Sequence, residues 1–204
     1  MGRIYIVIGK SAAGKDSVYA GIMKNALPDT EPLVIYTTRP KRSGEQNGRE
    51  YFFTDEAHMR ELEAAGRIIE KRVYPTVHGD WYYFTADEGQ IKDDASYVGI
   101  GTLESFVRLK SYFGDGRVCP LYIECDNKTR LLRSVERESM QAEPSYAEVC
   151  RRYLADEEDF SEEKIRDAGI EVRFRNDDTV DKCVEAVIDY IKRLEGENND
   201  GKRL

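Results

Sequence analysis

The sequence predicts an α/β domain organised around a parallel sheet. Short runs rich in β-branched and aromatic residues alternate with longer segments of helical periodicity, the order typical of parallel strands joined by crossover helices. A glycine-containing stretch, GKSAAGK, follows the first of these runs directly. With 204 residues, 40% of them hydrophobic and 34% charged, the chain is large enough for one domain with its own core and small inserted lobes.

The core strands are predicted at five short apolar runs. Each is too short for a typical helix, and their side chains suit a sheet that is buried on both faces. The runs are RIYIVI from residue 3, PLVIY from 32, SYVGIG from 96, RVCPLYIEC from 117 and IEVRFRN from 170.

Helices are predicted between and after these strands. The first runs from Gly14 to about Asn25, with a face of apolar residues at helical spacing. The others are residues 102–113, a charged region at 127–167 that is interrupted near Pro144, and residues 179–194. The last ten residues, EGENNDGKRL, contain few apolar groups, and we expect residues 195–204 to form a disordered tail.

Residues 37–90 have a different pattern and are predicted to form an inserted lobe. A basic, turn-rich segment is followed by a helix from Asp55, a plausible N-cap, to Gly66, a plausible C-cap. The runs RIIEKRVY and DWYYFT then resemble two pairing strands. The predicted organisation of residues 1–194 is a core of residues 1–36, 95–126 and 168–194, the lobe at 37–90 and a helical lid at 127–167.

Composition excludes several classes of function. A net charge of −8 and a pI near 5.0 argue against a nucleic-acid-binding protein, since phosphate backbones favour basic surfaces. No apolar run approaches the roughly 20 residues needed to span a bilayer. The cysteines lack metal-site spacing and are expected to be free thiols of a cytoplasmic protein: Cys119, Cys125, Cys150 and Cys183.

The glycine-containing stretch nearly matches the phosphate-loop pattern G-x-x-x-x-G-K-[S/T]. Gly9, Gly14 and Lys15 fit it, with a strand before and a helix after. Such a loop turns its backbone N–H groups toward phosphate oxygens. This predicts a P-loop NTPase-type core with three layers. The alternative is an ordinary glycine-containing turn with a surface lysine, which could have the same sequence. The predicted ATP contacts are Gly9, Ser11, Ala12, Ala13, Gly14, Lys15, Asp16 and Ser17.

Asp16 stands where the pattern expects a hydroxyl. Two unit charges 4 Å apart repel by about 4 kcal/mol at an effective dielectric constant of 20, so a bare triphosphate would be disfavoured beside it. Mg²⁺ between carboxylate and phosphates removes this conflict. We therefore predict Asp16 as a ligand of Mg²⁺ bound with ATP. The alternative is an acid in a first helical turn, stabilised by about 0.3–1 kcal/mol by the helix dipole.

The basic segment YTTRPKRSGEQNGREYFF resembles the nucleoside-monophosphate-binding segment of guanylate kinases. The stretches GRIIEKRV, GDWYYFT and RNDD follow in that family's order, and the resemblance extends from Arg3 to about Leu194. It implies an ATP-dependent kinase that phosphorylates GMP or dGMP. The implied partners are small nucleotides, with no nucleic acid or membrane, and the implied assembly is a monomer or homodimer.

On the acceptor side, the resemblance assigns Arg39, Arg42 and Tyr51 to the phosphate of the acceptor. Glu70 would accept hydrogen bonds from guanine, with Thr85 as a second base contact and Tyr83 nearby. Without the resemblance, the basic segment could be a solvated turn. Glu70 could then be an exposed strand residue paired with the basic side chain of Lys71 or Arg72.

On the donor side, the resemblance matches Arg133, Arg137 and Arg152 to lid arginines. Arg133 and Arg137 are four residues apart and are predicted to share a helix face, where a solvated salt-bridged helix is the alternative. Asn176 would lie near the adenine. The residues implied in phosphoryl transfer are Lys15, Arg39, Arg137 and Arg152.

The chain departs from the family pattern around the base. Gly99 and Gly101 stand where the family has acids, Ile35 and Tyr36 where a serine is common, and Phe84 where a glycine is expected. Two alternatives follow. One is a kinase for a different nucleoside monophosphate or small phosphorylated acceptor, and the other is a non-catalytic binding module.

Overall fold

The computed structural model of the protein describes residues 1–25, 30–76 and 79–200, with the side chains of residues 197–200 excluded. The described residues form strands and helices along the whole of the part that they cover. In order they are β1 Ile4–Ile8, α1 Lys15–Lys24, β2 Thr30–Pro32, β3 Tyr36–Thr37, β4 Phe52–Phe53, α2 Glu56–Ala64, β5 Ile68–Thr76, β6 Gly79–Ala86, β7 Ser96–Ile100, α3 Leu103–Phe113, β8 Val118–Glu124, α4 Asn127–Ser139, α5 Tyr146–Asp159, α6 Glu162–Asp167, β9 Arg173–Arg175 and α7 Val180–Asp200.

The core is a five-stranded sheet in the order β2-β7-β1-β8-β9, and every neighbouring pair is parallel. β1 is central because all five of its residues are apolar and buried, and it pairs with β7 on one side and β8 on the other. The predicted parallel α/β fold is confirmed.

Helices cover both faces of this sheet. Since side chains alternate along a strand, Tyr5 and Val7 pack in one cluster with residues of α1 and α7. Ile4, Ile6 and Ile8 point the other way, into a cluster with residues of α3 and α6. The core therefore has the three layers that the sequence predicts, and the carboxyl end of β1 opens onto the loop before α1.

A second sheet, in the order β4-β3-β6-β5, forms the lobe. β5 and β6 are a long antiparallel hairpin, as RIIEKRVY and DWYYFT suggested. Asp55 caps α2 by accepting from the backbone N–H of His58 at 2.9 Å. Met59 and Leu62 on α2 pack against the buried Phe84 of β6, so the lobe has a small hydrophobic core of its own.

The predicted strand PLVIY is wrong as a single element. β2 ends at Pro32 in the core sheet and β3 begins at Tyr36 in the lobe sheet. Between them, the N–H of Leu33 donates to the carbonyl of Val98, and the carbonyl of Ile35 accepts from Phe52 of the lobe. One apolar run is thus shared by two sheets, and its three middle residues connect them.

The region predicted as the lid consists of α4, α5 and α6. The interruption near Pro144 separates α4 from α5. A second break precedes α6, whose Ile165 is 1% exposed and packs with Ile4, Ile6 and Ile8 of β1. By its packing, α6 lies with the core layer, and the lid bounds of 127–167 stay a prediction.

The C-terminal end also differs from the prediction. α7 continues through Asp200, so residues 195–200 are helical, while residues 201–204 lie outside the described part. The physical reason is a tertiary anchor, because the carboxylate of Glu195 accepts hydrogen bonds from Tyr5 and Ser96. Among the described residues, no helix combines the length and apolar character required to cross a bilayer.

Candidate active site

The loop between β1 and α1 has the curled backbone that its glycines predict. Gly9 and Gly14 have φ of 151° and 93°, and Ala12 also adopts a left-handed φ of 59°. A Cβ at Gly9 would lie 2.3 Å from the carbonyl oxygen of Ile123 on β8, so this position requires glycine. The loop therefore passes close against the core sheet before α1 begins at Lys15.

Lys15 lies at the inner side of this loop. Its Nζ donates to the carbonyl of Lys10 at 3.0 Å, which ties the side chain to the loop. Burial lowers the pKa of Lys15, while the neighbouring carboxylates of Asp16 and Asp156 oppose that shift. The ammonium group is thus partly desolvated, which strengthens its interaction with an anion.

Asp16 and Ser17 follow in the first turn of α1, and both are exposed. Within the described residues, the side-chain carboxylate of Asp16 makes no hydrogen bond or close ion pair. Its carboxylate is therefore available to a ligand at the mouth of the loop.

The lid reaches the loop through two residues of α5. Asp156 accepts a hydrogen bond of 2.7 Å from the backbone N–H of Ser11, and Arg152 donates to the Ser11 hydroxyl at 3.3 Å. Arg137 of α4 lines the same small space beside Ser11, Arg152 and Asp156. The structure thus brings together two of the three predicted lid arginines at the phosphate loop.

Arg133 points elsewhere. It donates to the backbone carbonyl of Asn176 at 3.2 Å and contacts the sulfur of Cys125 at 3.4 Å. Arg133 and Arg137 do lie four residues apart on α4, but the described contacts of Arg133 are away from the loop, and its role as a lid arginine stays a prediction. The two side chains diverge because Arg133 packs on the loops that follow β8 and β9.

Asn176 is 1% exposed and packs behind the loop. Its Nδ2 donates to the carbonyl of Ala13 at 2.9 Å, and a Cβ at Gly14 would lie 2.2 Å from that nitrogen. Its Oδ1 is buried without a hydrogen-bond partner among the described residues. Asn176 thus supports the conformation of the phosphate loop from the side of the core.

A buried arginine that the sequence analysis did not select links lid and loop. Arg130 of α4 is 1% exposed, and its guanidinium donates to the carbonyl of Ser11 at 3.4 Å and to Glu157 at 2.6 Å. It also stacks over Tyr153, 4.7 Å from the ring centroid. Glu157 in turn pairs with Lys10 of the loop at 2.8 Å. These contacts hold α4 and α5 against the loop.

In the lobe, Arg39 is the most enclosed of the predicted phosphate-binding residues. It is 4% exposed, with Tyr51 and Phe53 beside its guanidinium at 5.5 and 5.6 Å from their ring centroids. Both Nη atoms bind the carboxylate of Glu45, at 3.1 and 2.8 Å. This two-point contact raises the pKa of Arg39 and is the geometry in which an arginine binds a phosphate.

The other predicted phosphate contacts lie around Arg39. Arg42 is exposed, and its backbone N–H donates to Glu45 at 2.7 Å. Tyr51 and Tyr83 pack edge to face with ring centroids 5.6 Å apart. These residues lie close together, and Arg39 is the one that contacts both Glu45 and Tyr51.

Glu70 and Thr85, which the resemblance assigns to the base, contact each other. Glu70 is 8% exposed on β5, and its Oε1 accepts from the hydroxyl of Thr85 on β6 at 2.9 Å. Its Oε2 lies 3.3 Å from Nε of Arg72 and accepts from the hydroxyl of Ser105 on α3, also at 3.3 Å. Neither Arg72 nor Ser105 was selected from the sequence.

The two glycines at the departures from the family pattern are closely packed. A Cβ at Gly99 would lie 3.0 Å from Cβ of Leu33. A Cβ at Gly101 would lie 2.9 Å from a methyl of Ile6 and 3.3 Å from Cβ of Ser105. A side chain at either position would therefore require its neighbours to shift.

Parts of the loop, the lid and the lobe line a cavity of about 730 Å³. The loop contributes Gly9, Ser11 and Lys15, and the lid contributes Arg152 and Asp156. The lobe strand β5 and the start of α3 close the other side, with Arg72, Tyr74, Gly101 and Thr102.

A second group of potential ligand atoms lies behind the loop. Cys125, Asp126 and Asp177 place a sulfur and two carboxylates within 4.8 Å of one another. Asp126 caps α4 by accepting from Thr129, and Asp177 accepts from the N–H of Asp126. These contacts therefore have a structural role, because they connect the loop before α4 with the loop after β9.

Comparison with known proteins gives a consistent relationship. A family model described as guanylate kinase matches residues 1–88. A guanylate kinase of Thermotoga maritima is 30% identical over 156 residues, which are 75% of this chain and 63% of that protein. Guanylate kinases of Aromatoleum aromaticum and Chromobacterium violaceum are each 38% identical over 81 and 82 residues, 40% of this chain. The chain thus spans less than two thirds of these relatives, and only 38% and 37% of the last two.

The fold agrees with these matches. The crystal structure of guanylate kinase from Anaplasma phagocytophilum aligns with a TM-score of 0.62, over 94% of this chain and 85% of that one, at 17% sequence identity. The architecture is therefore shared along almost the whole chain. The chain is thus similar to guanylate kinases in sequence, and it shares its fold with one of known structure.

Proposed function

We propose that the protein is an ATP-dependent nucleoside monophosphate kinase that phosphorylates GMP or dGMP. One observation carries the proposal: the phosphate loop, the lid and the lobe meet at a single cavity, with Lys15, Arg152 and Arg72 on its walls. Three cationic side chains from three parts of the fold match the charge that two nucleotides bring together for phosphoryl transfer.

On the donor side, the loop N–H groups and Lys15 would bind the β- and γ-phosphates of ATP. Arg137 and Arg152 lie beside Ser11 and would neutralise the phosphoryl group during transfer. Asn176 would act chiefly by supporting the loop, because its amide binds Ala13. Arg133 is better placed to support Asn176 than to contact the phosphoryl group.

The residues present are compatible with Mg²⁺. Asp16 supplies one exposed carboxylate without a close partner among the described residues, next to the loop that would bind the phosphates. This suits an ion that prefers one or two carboxylates together with phosphate oxygens and water. When bound, Mg²⁺ would neutralise charge on the β- and γ-phosphates.

On the acceptor side, the contact between Arg39 and Glu45 indicates how a phosphate would bind. The carboxylate of Glu45 occupies the two donor positions that phosphate oxygens would take, with the aromatic rings of Tyr51 and Phe53 alongside. Arg42 is exposed and free to reach the same phosphate. The base would lie toward Glu70 and Thr85.

The chemistry that these residues would support is direct transfer. An oxygen of the acceptor phosphate forms a bond to the γ-phosphorus as the bond to the β–γ bridging oxygen breaks, giving ADP and a nucleoside diphosphate. Lys15, Arg137 and Arg152 would stabilise charge on the transferring group, and Arg39 would hold the nucleophile in line. Closure of lid and lobe would exclude water and prevent ATP hydrolysis.

A kinase with another acceptor is the second candidate. Gly99 and Gly101 replace the acids expected near the base, and a Cβ at either position would crowd its neighbours, so guanine recognition would rest on a smaller set of residues. A purely binding role is less favoured, since a binding module has no need for the partly desolvated Lys15 or for Arg137 and Arg152 at the loop.

The test is acceptor-dependent ADP release with ATP and Mg²⁺, measured against GMP, dGMP, AMP, CMP, UMP and dTMP. We expect turnover with GMP and dGMP, and a loss of about 10³-fold or more in Lys15→Ala. Turnover with a different monophosphate would keep the kinase and change its acceptor. Absence of turnover across the panel, in protein that binds ATP, would contradict the proposal.

A further inference from the structure

Ser105 forms a contact between the core and the lobe that no motif predicts. It lies in the first turn of α3 and is 3% exposed. Its hydroxyl donates to Oε2 of Glu70 at 3.3 Å and lies 3.0 Å from the hydroxyl of Thr102. Thr102 already caps α3 by accepting the backbone N–H of Ser105, so the helix end is satisfied without the Ser105 hydroxyl.

The carboxylate of Glu70 has two hydrogen-bond donors and one ion-pair partner, which come from three elements. Thr85 on β6 binds Oε1, Arg72 on β5 lies beside Oε2, and Ser105 on α3 also binds Oε2. A buried charge requires such partners. Since Thr85 and Ser105 each hold a different oxygen, together they fix the plane in which the carboxylate lies.

Ser105 also occupies a particular place in the core. Its Cβ lies 3.3 Å from the position that a Cβ on Gly101 would take. Gly101 and Gly99 are the two positions at which the chain lacks the acids expected beside the base. The hydroxyl of Ser105 thus approaches Glu70 from the side on which those acids are absent.

We propose that Ser105 is a positioning residue that sets the preference for guanine by orienting Glu70. This rests on the proposed function. Guanine offers two adjacent donors, N1–H and the 2-amino group, and a carboxylate accepts both only when its two oxygens lie in the plane of the base. Hypoxanthine offers N1–H without the 2-amino group, so a single oxygen suffices for it. Loss of Ser105 therefore weakens binding of GMP more than binding of IMP.

The experiment compares Ser105→Ala with Ser111→Ala, an exposed serine on the same helix. Calorimetry measures binding of GMP and IMP to each protein without ATP, and steady-state assays separate KM from kcat. We expect Ser105→Ala to weaken GMP binding about 10-fold, as for loss of a hydrogen bond to a charged group, with kcat and the KM of ATP nearly unchanged. IMP binding should change less than about 2-fold. Ser111→Ala should match the wild type.

Ser105→Thr retains the hydroxyl and should restore most of the preference for GMP over IMP. A merely structural role for Ser105 would reduce GMP and IMP binding equally, and this result, or an unchanged preference, would overturn the inference. The wild-type protein separates the two proposals. If it neither binds nor phosphorylates GMP, the proposed function fails. If it does both and Ser105→Ala behaves like the wild type, only the role of Ser105 fails.

Discussion

The carboxylate of Asp156 accepts a hydrogen bond from the backbone N–H of Ser11 at 2.7 Å, across 145 positions of sequence. Ser11 lies in the phosphate loop and Asp156 in the lid helix α5. A carboxylate oxygen therefore occupies a backbone N–H that a phosphate of ATP would use under the proposed function. Binding of ATP would then require Asp156 to release this N–H, which would couple ATP binding to the position of the lid.

This contact predicts that Asp156→Asn strengthens ATP binding by about 10-fold, which corresponds to ~1.4 kcal/mol. The substitution removes a negative charge beside the phosphates while it keeps a similar shape. Calorimetric titration with ATP in the absence of acceptor measures the effect. Glu158→Gln, an exposed residue on the same helix, is the matched control. Weaker ATP binding in Asp156→Asn would contradict the prediction and indicate that the carboxylate assists the donor.

Arg39 and Arg42 should respond differently to truncation. Arg39→Ala removes the group that binds Glu45 and packs beside Tyr51 and Phe53. We expect it to lower the rate of phosphoryl transfer by roughly 10³-fold and the free energy of unfolding by about 1 kcal/mol through lost contact with the rings. Arg42→Ala should raise the KM of the acceptor and leave stability unchanged, because Arg42 is exposed. Urea unfolding and acceptor titrations check both, and a destabilised Arg42→Ala would count against this division of roles.

Glu195 should contribute to stability from the end of α7. Its carboxylate accepts from the hydroxyl of Tyr5, which is 0% exposed, at 2.7 Å. Burial and this bond raise the pKa of Tyr5, so its hydroxyl keeps its proton and needs an acceptor. Glu195→Ala should therefore lower the free energy of unfolding by about 1–3 kcal/mol.

The same bond gives a control for that experiment. Tyr5→Phe in the Glu195→Ala background removes the stranded hydroxyl and should recover part of the loss, because removing both partners is less costly than removing one. Chemical denaturation of the single and double variants measures the recovery. Equal stability of Glu195→Ala and the wild type would show that the anchor does not matter.

Restoring an acid at Gly101 should not restore a typical family site. A Cβ there would already lie 2.9 Å from Ile6 and 3.3 Å from Ser105. We expect Gly101→Asp to lower the free energy of unfolding by about 1–3 kcal/mol, as overpacking does, and to reduce GMP turnover. Thermal unfolding and kcat/KM for GMP test this, with Gly116→Asp, where a Cβ would meet nothing within 4 Å, as the control. Increased GMP turnover in Gly101→Asp would contradict the prediction.

The sequence predicts those parts of the site that are local. The loop at Gly9 to Lys15 follows from a strand, a glycine spacing and a helix start, all within a short window. The parallel sheet follows from the alternation of elements. The hairpin of β5 and β6 is recognisable from the apolar pattern of its two strands, whereas Glu70 and Thr85 within it are selected only through the family resemblance.

Contacts between distant segments could not be predicted in this way. Arg130 reaches Ser11 across 119 positions, and Ser105 reaches Glu70 across 35. Their partners are set by how α4, α5 and α3 dock on the sheet, which hydrophobic periodicity does not specify. The division of PLVIY between two sheets has the same origin, since an apolar run does not indicate which strand will pair with it.

The contact of Asp156 with Ser11 also bears on how the protein holds itself together before any nucleotide arrives. A phosphate loop points several backbone N–H groups, the positive ends of the peptide dipoles, at one place, and this arrangement is unfavourable without a nearby negative charge as a counterion. In this chain the counterion is internal, supplied by α5 and balanced by the guanidinium of Arg130. One backbone N–H of the loop is thus neutralised within the chain, so inorganic phosphate or sulfate competes with Asp156 for it while Lys15 and Arg152 still attract the anion.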